Sequence, residues 1–263
     1  MSIWIILAIL LASSVSMMFL FWLWQARGGN PALVDVAWSY GTGACGVVLA
    51  LNSGGDYERR IVAAILAGVW GLRLGTYLAI RLSHHPEDRR YTAMREKWGD
   101  RANTFMLGFF MLQALFVVLY GLPMLAGATG GNPFTPLGIT GISFIIAGMI
   151  GVTIADMQLL GFKKNPSRQP TDVCKVGLWS WSRHPNYFFE WIIWLGWAVC
   201  GLSGSLWWLG ILGALCMLWF LFKVTGIPHV EREAIKKRGD SYREYQRTTS
   251  MFIPRPPKKV TTS

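Results

Sequence analysis

The sequence predicts an all-α, polytopic membrane protein with seven transmembrane helices and a C-terminal amphipathic segment. Three observations carry that prediction. Of 263 residues, 52% are hydrophobic and 15% charged, against roughly 25% charged in a typical soluble protein. The apolar residues gather in seven blocks, each long enough as a helix to cross a ~30 Å hydrocarbon core. Between the blocks, Lys and Arg crowd into alternate connections, as cytoplasmic loops do.

The first block, at about residues 3–24, has no basic residue ahead of it and an apolar run too long for a cleaved signal peptide, so it reads as a retained helix. The second, 32–51, is charged only at Asp35, and the third, 61–80, only at Arg73. The fourth, 104–126, has no charge, and the fifth, 137–160, has Asp156 alone. The sixth, 186–203, follows Pro185, a residue suited to a first helical turn because its missing N–H has no partner to lose there. The seventh, 205–227, stops before Pro228. With no internal repeat or separate soluble domain, residues 1–263 read as one membrane domain, of which 228–263 form a cytoplasmic tail.

The formal charge of +11 does not point to nucleic acid, whose binders carry their basic residues as one patch on a soluble domain. Here they sit between apolar blocks. Arg27, the six from Arg81 to Arg101, the five from Lys163 to Arg183 and the ten from Lys223 to Lys259 fall on one side of a seven-helix chain, twenty-two in all. Only Arg59 and Arg60 fall on the other. The positive-inside rule then puts the N-terminus outside, with the C-terminus and both long loops in the cytoplasm. Cys45, Cys174, Cys200 and Cys216 form no CxxC, so neither a disulfide framework nor a metal site is expected.

An ionisable side chain at membrane depth costs at least about 2.5 kcal/mol on insertion scales, so each needs a partner, an aqueous cavity or a function. Asp35, Arg73, Arg81, Asp156 and Glu190 all fall toward the cytoplasmic halves or centres of their helices. They suggest one cavity open to the cytoplasm, the plainer reading being ion pairs such as Arg73 with Asp35. The densest signal runs from Lys163-Lys164-Asn165-Pro-Ser-Arg168 to Gly177-Leu-Trp179-Ser-Trp181-Ser-Arg183-His184-Pro185-Asn186-Tyr187. A helix starting at Pro185 presents free N–H groups beside Arg183 and His184, an arrangement suited to a phosphate. Asn186 and Glu190 are four apart and share a face. Asp156 and Lys163, seven apart, also share one. Together they outline a long polar ligand, phosphate at the mouth and polar head group inside; lipid head groups account equally for Lys163 and Lys164.

There is no GxGxxG, Walker, GxSxG or HExxH sequence, so a nucleotide site would have to be built from helices and loops. His84 and His85 read as solvated loop residues, and His229 faces either the cavity or the head groups. From Glu231 to Arg247 the chain reads as an amphipathic surface helix broken near Gly239-Asp240, either held by anionic lipid or capping the cavity.

Gly177-Leu-Trp179, followed by Ser182-Arg183-His184-Pro185-Asn186-Tyr187-Phe-Phe-Glu190, resembles the steroid 5α-reductase superfamily, especially its bacterial branch. The resemblance runs over roughly residues 30–255. It extends to Asp35-Val-Ala-Trp38, Gly71-Leu-Arg73-Leu with Arg81, the Asp156–Lys164 segment, and Tyr242-xx-Tyr245 before Phe252-Ile-Pro254. It implies an NADPH-dependent reductase in the bacterial inner membrane that saturates a C=C bond conjugated to a ketone, most simply in a 3-oxo-Δ4 steroid. By the same resemblance, Asn186 and Glu190 contact the nicotinamide end of NADPH, Asp156 and Lys163 line the cofactor, and Arg183 and His184 lie near phosphate. Arg73, Lys164, Arg168, Tyr187 and His229 complete the expected cofactor contacts. At the substrate end the pattern departs from the animal enzymes: Trp38, Ser39 and Trp70 are the expected substrate contacts, and Tyr40 or Tyr77 with Asp35 the expected ketone-polarising group. The implied chemistry is hydride transfer from the nicotinamide to the β-carbon while a hydrogen-bond donor stabilises the developing enolate. A second resemblance, a basic-His-Pro-x-Tyr element with glutamates after the last helix (Glu231, Glu233), leaves an S-adenosylmethionine-dependent membrane methyltransferase of the isoprenylcysteine or phospholipid type as the alternative. A transporter would call for inverted halves, which the sequence lacks.

Overall fold

The computed structural model describes residues 1–84, 89–224 and 226–258; His85 and Lys259 lie outside the described residues. The described secondary structure is helical, apart from one isolated bridge between Ser182 and Ser250. Its main helices are α1 (Ile3–Ala26), α2 (Leu33–Leu51), α3 (Tyr57–His84), α4 (Arg89–Trp98), α5 (Ala102–Ala128), α6 (Pro136–Lys164), α7 (Leu178–Trp181), α8 (Pro185–Gly201), α9 (Trp207–Trp219), α10 (Ile227–Arg238) and α11 (Asp240–Thr248).

Among the described residues, six helical runs are long and apolar enough to cross a membrane: Ile3–Ala26, Leu33–Leu51, Tyr57–Ser83, Arg90–Ala128, Pro136–Lys164 and Trp207–Arg238. The expected span at 186–203 is α8, whose 17 residues reach only about 25 Å at ~1.5 Å per residue. The fourth run begins earlier than its apolar block because α4 leads into α5 through a single tight turn, Gly99–Arg101, where Gly99 adopts φ +50. The sequence reads α4 as charged loop, yet Tyr91, Met94 and Trp98 recur at helical spacing and pack on the core of the first unit. In the last run the apolar part ends in a π-helical turn, Phe220–Val224. Beyond Gly226, α10 carries Glu231, Arg232, Glu233, Lys236, Lys237 and Arg238 and so belongs outside the hydrocarbon.

The chain forms two compact units, Met1–Leu137 with Cys200–Gly210, and Gly138–Val199 with Ile211–Ser263. In the first, small residues let helices approach closely. A Cβ on Gly43 of α2 would stand 2.7 Å from the Gly71 backbone of α3, the close approach that glycine permits between membrane helices. Helix α1 is tied to α5 by the Ser14 hydroxyl, which donates to the Ala114 carbonyl at 3.0 Å, and by the Trp22 indole, which donates to the Asn103 carbonyl at 2.9 Å. Met18, Leu49, Met106 and Phe110 lie fully buried in the core of this unit.

In the second unit, Gly141, Gly148 and Gly151 of α6 receive Gly196, Ile193 and Phe189 of α8. A Cβ on Gly148 would lie 2.6 Å from the Ile193 side chain and 2.8 Å from the Phe189 carbonyl, and the carbonyl cannot rotate away. Gly148→Ala is therefore expected to cost about 1–3 kcal/mol through overpacking. Thermal unfolding of the detergent-solubilised protein would detect it, and an unchanged midpoint would refute this contact.

Beyond α10 the chain turns sharply at Gly239 (φ +55), where the sequence places a break, and α11 follows. Ala234, Tyr242 and Tyr245 form a small apolar cluster with Val173 and Ile235. Farther along, Phe252 packs with Leu221 and Ile227 against Tyr187, Phe188 and Trp191. The tail is thus bound to the body of its own unit by apolar packing.

Candidate functional site

Apart from Arg73, which lies in the first unit, the residues expected to hold a cofactor fall within the second unit. Near the end of α6, Gln158 accepts the Leu178 N–H at 3.0 Å, and the Ala155 carbonyl accepts the Trp179 indole N–H at 2.8 Å. These two bonds hold α7 against α6, with Gly177 at φ +54 making the turn into it. Ser182 then leaves the helix in an extended conformation, and its hydroxyl accepts the His184 N–H at 3.1 Å while donating to the Phe252 carbonyl at 2.8 Å. The start of α8 is fixed in this way.

From that start, Asn186 reaches Asp156 of α6, with Nδ2 donating to Oδ1 at 3.5 Å. Asp156 is buried, and the Asn186 carbonyl oxygen is buried with no hydrogen-bond partner among the described residues. One turn deeper, the Glu190 carboxylate accepts the Trp194 indole N–H at 3.2 Å. Tyr187 stacks on His184 with ring centroids 5.4 Å apart. Lys163 and Lys164 are exposed, as is His229 on α10, and the Arg168 guanidinium lies over the Phe162 ring.

Arg183 and His184, expected beside phosphate, take protein partners. The Arg183 Nε donates to Glu231 at 2.7 Å, and its Nη1 donates to the carbonyls of Thr249 and Gln246 at 2.7 and 3.1 Å. His184 Nε2 stands 3.3 Å from the same Glu231 oxygen, while Gln246 donates to the other at 2.8 Å. Tyr245 adds hydrogen bonds to the carbonyls of Trp179 and Ser182. Burial pushes the Glu231 carboxyl up, but the hydrogen bonds from His184 and Arg183, the charge of Arg183 and the bond from Gln246 together outweigh it and bring the group down to about 2. Sequence reading had no means of pairing Glu231 with Arg183, 48 residues apart; its one signal was an acidic residue in a basic tail.

The expected substrate end lies in the first unit. Asp35 receives three donors: Arg90 at 2.6 Å, the Tyr91 hydroxyl at 3.0 Å and the Gln113 amide at 3.4 Å. It therefore anchors α4 to α2. Tyr40, expected to act with Asp35, is exposed, and its hydroxyl pairs with that of Thr76 at 3.1 Å. Tyr77 is half-buried on α3, as is Arg73 one turn before it, and the fully buried Ser39 donates to the Asp35 carbonyl at 2.8 Å. Trp38 meets Trp70 and Tyr120 edge to face, at 6.3 and 5.7 Å between centroids.

Long apolar helices and a buried polar cluster between two of them define a polytopic membrane protein with an interior polar site. Residues 21–249 match the family described as protein of unknown function (DUF1295), and the chain belongs to that family. No curated protein and no solved structure matches it.

Proposed function

We propose that the protein is an NADPH-dependent reductase that saturates the C=C bond of a hydrophobic enone, a 3-oxo-Δ4 steroid being the substrate that best fits the resemblance in sequence. One observation carries the reading: the buried Asn186 carbonyl oxygen lacks a donor among the described residues, while its amide is turned to Asp156 and Glu190 lies one turn deeper. An unmet acceptor of this kind costs about 1–3 kcal/mol, and the N–H of a nicotinamide carboxamide would satisfy it. Bound there, NADPH would supply a hydride to the enone β-carbon. Asn186 would fix the orientation of the ring amide, Asp156 would hold Asn186 in that rotamer, and exposed Lys163 and Lys164 would take the phosphate end. Arg183 and His184 would support this site from behind by fixing the start of α8.

The membrane topology belongs to the same proposal. With α8 crossing as a seventh, short span, twenty-two basic residues face the cytoplasm together with the cofactor end, and the N-terminus lies outside. The methyltransferase reading has less support, because both Glu231 oxygens are engaged by protein donors and Glu233 pairs with Lys236 at 2.8 Å.

The test is binding of NADPH, NADH and S-adenosylmethionine to the detergent-solubilised protein, with absorbance at about 340 nm followed after adding a 3-oxo-Δ4 steroid. Steroid-dependent oxidation of NADPH is the expected result. Binding of S-adenosylmethionine alone would overturn the reading.

A further inference from the structure

In the second unit, large apolar side chains are exposed outside the long apolar helices. Phe252 of the tail is 7% exposed, and its ring centroid lies 5.1 Å from that of Phe222, 5.6 Å from Phe188 and 5.9 Å from Trp191. It is wedged against α8 and against the π-helical turn where the apolar part of the last run ends. Met251 and Ile253, on either side of it, are 37% and 48% exposed. Trp181 is 48% exposed and runs beside them: its carbonyl accepts the Arg255 N–H at 2.9 Å, and Ser182, next in the chain, bridges to Ser250. Trp219 and Val224, three residues before Phe222 and two after it, are exposed as well. The charge around this surface has one sign. Arg255 and Lys258 are exposed, and from Gln246 to Lys258 the chain carries three basic residues and no acidic one.

We infer that the segment from Ser250 to Lys258, together with Trp181, seats on the membrane surface. Trp181, Met251 and Ile253 enter the head-group boundary, and Arg255 and Lys258 meet the phosphates of anionic phospholipid. Contact between Phe252 and Phe222 sets the level, because it holds the segment where the last run passes from apolar to charged sequence. Tryptophan and aliphatic side chains favour that boundary, and basic residues beside it are drawn to anionic lipid. A soluble protein partner could cover the same apolar groups, but would not require them at the depth of the π-helical turn. The seat is tied to the candidate site. The Ser250 carbonyl accepts the Arg183 N–H at 2.8 Å, and the Phe252 carbonyl accepts the Ser182 hydroxyl at 2.8 Å. A bilayer that holds this segment therefore also holds the start of α8, on which Asn186 stands. The inference goes beyond the proposed reductase and is independent of the reaction performed there.

The test is amide hydrogen exchange of the full-length protein, without cofactor, in nanodiscs of phosphatidylcholine and in nanodiscs of an equimolar mixture with phosphatidylglycerol. The amides of Arg255 and Lys258 donate to the carbonyls of Trp181 and Thr248, so their exchange reports opening of the segment. Each basic residue engaged at an anionic surface should slow it about fivefold, and the two together about 25-fold, in the mixed discs relative to the neutral ones. Arg255→Gln combined with Lys258→Gln should exchange at the same rate in both lipids. Ile253→Ser should exchange faster than wild type in both and keep the difference between them, because it weakens the apolar part of the seat alone. The inference is overturned if the wild type exchanges equally in the two lipids, if the double variant keeps the difference, or if Ile253→Ser exchanges as the wild type does. Protection that follows the number of protein copies per disc, and not the anionic lipid, would overturn it too, and would make a second copy of the chain the occupant.

Discussion

Replacing Arg59 by Met is expected to destabilise the first unit by about 3–5 kcal/mol, enough to remove most of the folded protein. Arg59 is 3% exposed, and its described acceptors are all main-chain carbonyls: Gly131 at 2.6 Å, Cys200 at 2.8 Å, Thr129 at 3.2 Å, Asn132 at 3.3 Å and Gly127 at 3.5 Å. Gly127 lies in the last turn of α5, whose final carbonyls have no intrahelical donors and carry the negative end of the helix dipole. One guanidinium satisfies them because its donors fan out in a plane. Methionine fills similar space and supplies none. Arg59→Lys should recover part of the loss, since an ammonium has three donors but cannot span five acceptors. Size-exclusion profiles and melting temperatures of the solubilised variants provide the measurement; a monodisperse Arg59→Met with a wild-type melting temperature would refute the role.

The same residue explains an irregularity in the charge pattern. In the proposed seven-span topology, Arg59 and Arg60 are the two basic residues on the side of the chain where the positive-inside rule expects few. Arg59 closes carbonyls around the end of α5, and Arg60 donates to the Leu51 carbonyl at the end of α2. Both are there to satisfy backbone, which charge counting cannot register.

The helices themselves were legible because a hydrocarbon core demands long apolar runs: the blocks predicted at 3–24, 104–126 and 137–160 lie within helices that extend a few residues further, and 32–51 coincides with α2 but for Ala32. Polar ends blurred the rest. Helix α4 was read as loop because its charges outnumber the three apolar residues that dock it, and the α9 block ran through a π-helical turn that composition does not reveal. In the candidate site, the neighbours on one helix could be read from spacing: Asn186 and Glu190 follow from the helical repeat. Pairings across the chain could not. Asp35 takes Arg90, 55 residues away, and Arg183 takes Glu231, because long-range partners are chosen by packing that no local pattern encodes.

Loss of the Glu231 carboxylate is expected to release the C-terminal tail, at a cost of about 3 kcal/mol for breaking a largely buried charge pair. Glu231 and Arg183 are joined at 2.7 Å with side chains 14% and 8% exposed, and Arg183 in turn holds Thr249 and Gln246. Glu231→Gln removes the charge and leaves the Arg183 guanidinium buried beside a neutral amide. The tail should then become open to trypsin at Arg243 and Arg247 while the apolar helices stay protected. Acid should have the same effect on the wild type. Because the carboxyl lies at about 2 in the folded protein against 4.5 ordinarily, the unfolded chain binds more protons between those values. The stability that Glu231 contributes is therefore complete above about pH 4.5 and falls as the pH drops toward about 2. Melting temperatures at about pH 5 and pH 3 should diverge more in the wild type than in Glu231→Gln, which has no such proton to take up. Equal shifts in the two proteins, or a tail equally resistant to trypsin in both, would mean that the clasp rests on the apolar contacts of Tyr242, Tyr245 and Phe252 and not on its charges.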